Sequence, residues 1–226
     1  MQLADIEKQG FAILPDVLTH REIERLNESL ACNPLPRSRA GMRNALRHPA
    51  IHAIARDPRL QAIAHEVLGG TPFAFKATFF NKSPVSNWLV AWHQDKALPL
   101  RERRELAEWD PWSLKDGVIY ANAPASALSS VVALRLHLDD STHENGPLRV
   151  LPGTHAMGIL RDDAIHDLST RTTAVDCLVP RGGILVMRPL IVHASSKSRG
   201  KLQRRVLHIE YAVSASVADG LELAIA

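Results

Sequence analysis

The chain has 226 residues, of which 46% are hydrophobic and 23% charged, enough apolar content for a sizeable core and too much for wholesale disorder. This length suits one domain over residues 1–226. A net charge of +3, with both signs scattered, speaks against a nucleic-acid partner. Cys32 and Cys177 make no disulfide framework. Glu7 and Lys8 interrupt any early apolar run, and no stretch approaches the length of a membrane span. A soluble, reducing, cytoplasmic setting without a membrane partner is the expectation. Oligomeric state is not legible.

Residues 10–18 read as a short strand and turn. Thr19-His20-Arg21-Glu22 has the form of a capping box and starts a helix to about Leu30, with Ile23, Leu26 and Leu30 on one face. Asp57-Pro58 starts a second helix carrying Leu60, Ile63, Val67 and Leu68, and Gly69-Gly70 stops it. From residue 73 the pattern becomes short β runs, near 73–80, 88–94, 130–139, 147–151, 173–179, 183–187, 190–194 and 204–213. Helices first and strands afterwards predict an α+β fold. Roughly eight strands fit a double-sheet jelly roll with the early helices packed on one sheet. In 134–139, Leu134, Leu136 and Leu138 alternate with Arg135, His137 and Asp139, so one face suits the core and the other a cavity. Residues 96–129 form a long insertion between strands, the length of a lid or mobile loop.

His93-Gln94-Asp95 is the segment that carries chemistry. On a strand, residues two apart project from one face, and His193 lies one hundred positions downstream, followed by Arg204. Two histidines and one carboxylate on one side of a metal, with open positions opposite, suit non-haem Fe(II) in oxygenases. A nearby arginine would fork two hydrogen bonds to an anionic co-substrate. The H-x-D/E spacing alone is weak. Four of the 11 histidines show it, at His20, His93, His137 and His208, where chance gives about one. His20 belongs to the capping box, but His137-Leu138-Asp139 is a rival at this point. If polar faces line the cavity, Arg204 rather than Arg205 points inward, with His208 and Glu210 on the same face.

The segments Trp92-His93-Gln94-Asp95, Asn145-Gly146-Pro147-Leu148-Arg149-Val150-Leu151-Pro152-Gly153-Thr154-His155 and Gly182-Gly183…His193…Arg204 resemble the phytanoyl-CoA dioxygenase family of Fe(II)- and 2-oxoglutarate-dependent oxygenases. The resemblance implies a double-stranded β-helix, His93, Asp95 and His193 as iron ligands, and Arg204 on the distal carboxylate of 2-oxoglutarate. It makes His137-Leu138-Asp139 a supporting strand and His155 a structural histidine. Gln94 and Arg135 become further candidates at the co-substrate, with Arg135 alternatively binding substrate or pairing with Asp139 or Asp95. Family members that halogenate lack the carboxylate ligand, so Asp95 implies hydroxylation, with dioxygen consumed and succinate and carbon dioxide released.

The substrate is expected to be a small polar or acidic molecule, contacted by Arg135 and by Lys96, Trp109 and Trp112 of the 96–129 insertion. Competing readings are a non-catalytic metal-binding jelly-roll module and a Zn(II) hydrolase. Arg204 argues against the latter, because hydrolysis needs no carboxylate anchor there.

Overall fold

The computed structural model describes residues 3–35 and 41–226. Helix α1 (Ile6–Gln9) leads into strand β1 (Phe11–Leu14), and helices α2 (His20–Cys32), α3 (Pro49–Ala55) and α4 (Pro58–Leu68) follow. The capping box forms as the sequence predicts: Thr19 Oγ1 accepts the Glu22 N–H while the Glu22 carboxylate accepts the Thr19 N–H. Asp57 caps α4, Pro58 sits in its first turn, and Gly69 ends it.

The remaining chain is largely strands: β2 (Phe73–Lys82), β3 (Val90–His93), β4 (Ala97–Leu100), β5 (Trp112–Lys115) and β6 (Val118–Asn122). After helix α5 (Ala125–Ser129) come β7 (Val131–His137), β8 (Leu148–Val150) and helix α6 (Asp162–Arg171). Strands β9 (Val175–Cys177), β10 (Ile184–Met187), β11 (His193–Ser195) and β12 (Arg204–Ala212) complete the order. Five strands pair antiparallel as β1-β10-β7-β12-β2, and four as β3-β11-β8-β9. This pair of sheets is the jelly roll, and the fold class is α+β.

Alternation along the larger sheet separates its two faces. Ala77, Phe79, Leu134, Leu136, Ile184, Val186, Leu207 and Ile209 point outward and are buried against Ile23, Leu26, Ile51 and Leu60 of the helices. Each of the larger side chains contributes about 1.5–3 kcal/mol of burial, and Ala77 less. The inner face divides along its length. Ala133, Leu185 and Met187 pack with Leu148 and Val150 of the smaller sheet and with Ile191, just before β11. Toward β12 and β2 the inner face turns polar, and a cavity opens there.

The insertion 96–129 departs from expectation. It is not a lid but a third sheet, β4-β6-β5, closed by α5. Leu98, Leu100 and Trp109 bury with Phe75, Leu221 and Leu223, and the chain end returns to β2 through Ala226 N–H to Phe75 O at 2.7 Å. Its apolar residues found a core of their own, so the segment folded instead of hanging over the pocket. Among the described residues no helix is long and apolar enough to cross a membrane.

Candidate metal and carboxylate site

Strands β3 and β11 pair with His93 directly opposite His193. The backbone leaves β3 after His93, Asp95 N–H donates to Pro189 O at 3.1 Å, and the Asp95 carboxylate returns beside both rings. One ligand atom from each of His93, Asp95 and His193 lies within 4.8 Å of the other two. The Nε2 atoms stand 3.7 Å (His93) and 3.6 Å (His193) from the two Asp95 oxygens, too long for hydrogen bonds. Ligands about 2.0–2.2 Å from a shared ion are separated by about this much.

The rings are set for ligation. His93 Nδ1 donates to Ala91 O and His193 Nδ1 to Ile191 O, each at 2.9 Å, because a carbonyl can only accept. Each Nε2 is thereby left as a lone pair aimed at the common point. Burial, outweighing the pull of Asp95, brings the His193 pKa down to about 4, so that ring is neutral at ordinary pH. Burial opposes the charge on Asp95, yet the adjacent His193 and His93 hold its carboxyl well below the usual range. The donor set fits a divalent ion.

A cavity of about 480 Å³ opens from the triad across the inner faces of β2 and β12. The cross-strand pairs Arg204–Lys82, His208–Thr78 and Glu210–Lys76 line it in register, and Arg135 of β7 sits opposite His208. Arg204 is buried, with Nε donating to Asn145 O and Nη2 to Ser195 Oγ, while Nη1 has no partner. Lys82 lies beside it, donating to Ser195 Oγ at 2.8 Å and Ser196 O at 2.7 Å. Burial and the neighbouring Arg135 push the Arg204 guanidinium down to about 9, still charged at neutral pH. Burial and the charges of Arg204 and Arg135 pull the Lys82 ammonium down to about 7. Two adjacent buried cations, with a guanidinium N–H left over, fit a carboxylate.

The Asn145-Gly146 turn builds this end of the cavity. Gly146 adopts φ 66°, and a Cβ there would stand 2.4 Å from Ser196 O, so only glycine fits. The turn presents Asn145 O to Arg204 and Gly146 O to the Ser195 hydroxyl.

Phytanoyl-CoA dioxygenase (PhyH) is the family whose sequence model matches residues 31–206. The chain belongs to the phytanoyl-CoA dioxygenase family. It is 28% identical over 184 residues to an L-proline trans-4-hydroxylase of Streptomyces griseoviridis, covering 70% of this chain and 61% of that one. It is 26% identical over 170 residues to an ectoine dioxygenase of Halomonas elongata, covering 68% and 45%. The chain thus spans about half the length of these curated relatives. The crystal structure of AviO1 from Streptomyces viridochromogenes Tue57 superposes with a TM-score of 0.69 at 20% identity, over 96% of each chain. EctD from S. alaskensis with 2-oxoglutarate and 5-hydroxyectoine gives 0.71 at 18% identity, over 93% of this chain and 74% of that one. At such identities the likeness is one of fold. His208 and Glu210 lie beyond the stretch matched to the phytanoyl-CoA dioxygenase family.

Several expectations need correction. Gln94 does not face the cavity: its amide donates to Gly158 O and Leu190 O and accepts the Leu160 N–H, each at 2.8 Å. β3 ends at His93, and the chain beyond it sends Gln94 to the side of Leu160 and Leu190 while the Asp95 carboxylate returns to the histidines. Trp109 is fully buried, its indole N–H donating to Asp219. Trp112 lies under Arg103, and Lys96 borders a separate surface depression with Leu160 and Asp163. None of the three lines the cavity with the triad, because the insertion is occupied with its own sheet. Trp88, Leu89 and Val90 form that rim instead.

The rival motif does not assemble a site. His137 is buried between the sheets, and Asp139 holds Arg205 through two side-chain hydrogen bonds of 2.7–2.8 Å. That pairing occupies Arg205 and leaves Arg204 facing inward. Arg135 takes neither proposed acid and binds His208 instead. His155 contacts the Glu7 carbonyl, a structural role. Lys82 and Ser195 were missed, although the alternation Lys76, Thr78, Phe80, Lys82 against Ala77 and Phe79 marks a polar inner face.

Proposed function

We propose that the chain is an Fe(II)- and 2-oxoglutarate-dependent oxygenase that hydroxylates a small polar or acidic molecule. The observation that carries this is the meeting, in one cavity, of the His93–Asp95–His193 cluster with the paired buried cations Arg204 and Lys82. His93, Asp95 and His193 would hold the iron, and Arg204 with Lys82 the distal carboxylate of 2-oxoglutarate. Bound there, iron(II) supplies activation of dioxygen at the expense of 2-oxoglutarate, which leaves as succinate and carbon dioxide. The residues do the positioning. Ala91 and Ile191 carbonyls lock the imidazoles with Nε2 outward, and Ser195 and Asn145 fix the guanidinium. The inter-sheet core of Leu148, Val150 and Ile191 closes the space behind the site against water.

We read residues 1–226 as one such domain in a reducing, cytoplasmic setting, which the two free cysteines support. Relatives named for L-proline and ectoine favour a small substrate. A panel of small amino and organic acids, scored by succinate release with Fe(II), 2-oxoglutarate and air, tests the reading. Substrate-stimulated succinate with matched oxygenated product supports it. Product formed with Zn(II), independently of 2-oxoglutarate, would overturn it.

A further inference from the structure

The inner wall beside the triad holds a charge that the chemistry above leaves unused. Arg135 is 6% exposed, and among the described residues no carboxylate pairs with it. Its Nη1 donates to His208 Nδ1 at 3.0 Å, and its Nε has no partner. Since a guanidinium only donates, His208 Nδ1 is the acceptor, and the ring proton sits on Nε2. That proton is given to Glu210 Oε1 at 3.1 Å, and Glu210 is in turn held by Lys76 at 2.7 Å. Phe80 lies under the guanidinium, 5.2 Å from its centre. One face of the Arg135 head group and one of its edges are thus fixed.

Charge counting shows what the remaining edge is for. Lys76, Lys82, Arg135 and Arg204 face the cavity against Asp95 and Glu210. A ferrous ion adds two positive charges and 2-oxoglutarate removes two, so a surplus of two remains in the loaded site. Lys76 is matched by Glu210, while the distal carboxylate offsets only one of the two charges of Arg204 and Lys82, which accounts for half of the surplus. Arg135, with no acid beside it among the described residues, carries the other half. His208, its partner, lies four residues along β12 from Arg204, about 13 Å of strand. Arg135 thus stands at a different strand position from the co-substrate's distal anchor, though near enough for its charge to be felt at Arg204 and Lys82.

We propose that Arg135, held by the His208–Glu210–Lys76 chain, is the anchor for a carboxylate of the substrate, and that the substrate class is small carboxylic acids. This rests on the oxygenase reading, because the count assigns both charges of 2-oxoglutarate elsewhere. The co-substrate's other carboxylate is the competing source of the same chemistry.

The test uses a panel of small amino and carboxylic acids, L-proline among them, each beside its primary amide. Binding is read by calorimetry in the presence and absence of Fe(II) and 2-oxoglutarate without dioxygen. At least one acid should bind about 10- to 100-fold more tightly than its amide. Arg135→Gln should reduce that preference to under about threefold; Arg135→Lys, which keeps the charge felt at Arg204 and Lys82, should retain part of it and leave 2-oxoglutarate affinity within about threefold of native. Amides binding as well as acids throughout the panel, or no acid binding at all, would overturn the proposal. So would a loss of 2-oxoglutarate affinity beyond about tenfold in Arg135→Lys, where the charge is kept and only the guanidinium fork is lost, which would give the guanidinium to the co-substrate. An acid preference that persists while Fe(II) and 2-oxoglutarate fail to bind would sink the oxygenase reading and spare Arg135.

Discussion

Replacing Lys82 with methionine should change how 2-oxoglutarate binding responds to pH. In the cavity without an anion, burial and the charges of Arg204 and Arg135 hold the Lys82 ammonium at about 7. At pH 7.5 about a quarter of molecules then carry that charge. A dianion at Arg204 reverses the repulsion, raises the Lys82 pKa in the complex and draws in the missing proton, about 0.7 per ligand bound. The sign follows from the complex holding more protons than the free protein. Affinity is full below pH 7 and falls as pH rises above it, by at most about tenfold per unit. Calorimetric titration of 2-oxoglutarate into metal-loaded protein, without dioxygen, measures the uptake from two buffers of different ionisation enthalpy. Loading the metal first keeps His93 and His193 out of the balance. Lys82→Met should weaken binding at pH 7, remove the uptake and flatten the profile. Absence of uptake in the native protein, or equal uptake in Lys82→Met, would refute the placement of Lys82 at the co-substrate.

Asp139→Ala should lower stability by about 1–3 kcal/mol in urea unfolding, since it frees the Arg205 guanidinium and the Arg205 N–H. Its 2-oxoglutarate affinity should stay within about twofold of native, because Arg204, not Arg205, faces the cavity; a large loss would reverse that assignment. Gln94→Leu should cost about 2–4 kcal/mol, leaving two carbonyls and one amide N–H unpaired. Spectra of its metal complex should match native, and altered co-substrate affinity with unchanged stability would restore Gln94 to the site. Trp109→Phe should lose about 1–2 kcal/mol with the Asp219 hydrogen bond, while the preference among substrates stays as it was. A changed preference would give the insertion a role in substrate choice.

The sequence announced what periodicity controls. Leu134, Leu136 and Leu138 against Arg135 and His137 showed a sheet with an apolar and a polar face, and all eight strands expected after residue 72 have counterparts. The triad was legible because the one-residue spacing lets His93 and Asp95 share a side, an outcome that holds although β3 ends at His93. It needed Arg204 and the family motif to defeat His137-Leu138-Asp139, since spacing cannot show which carboxylate an arginine elsewhere will claim. Arg205 claimed Asp139. The strands of 96–129 are four or five residues long, and their core depends on Leu221 and Leu223 about a hundred positions away, so no local pattern revealed them. Helices α3 and α6 also escaped the reading; Pro49 and the acidic pair Asp162-Asp163 at their starts were the available signals. Lys82 is legible only once β2 and β12 are known to pair, when it falls opposite Arg204.

The most direct test is anaerobic titration of the native chain with Fe(II) and 2-oxoglutarate, watching for the weak visible absorption of the chelate. One equivalent of chelate per chain is expected, lost in His93→Ala and His193→Ala and needing more Fe(II) in Asp95→Ala. It should survive in His137→Ala, and in Arg204→Met it should need about 100-fold more 2-oxoglutarate. No absorption in the native protein, or absorption that persists without His193, would contradict the assignment of the site.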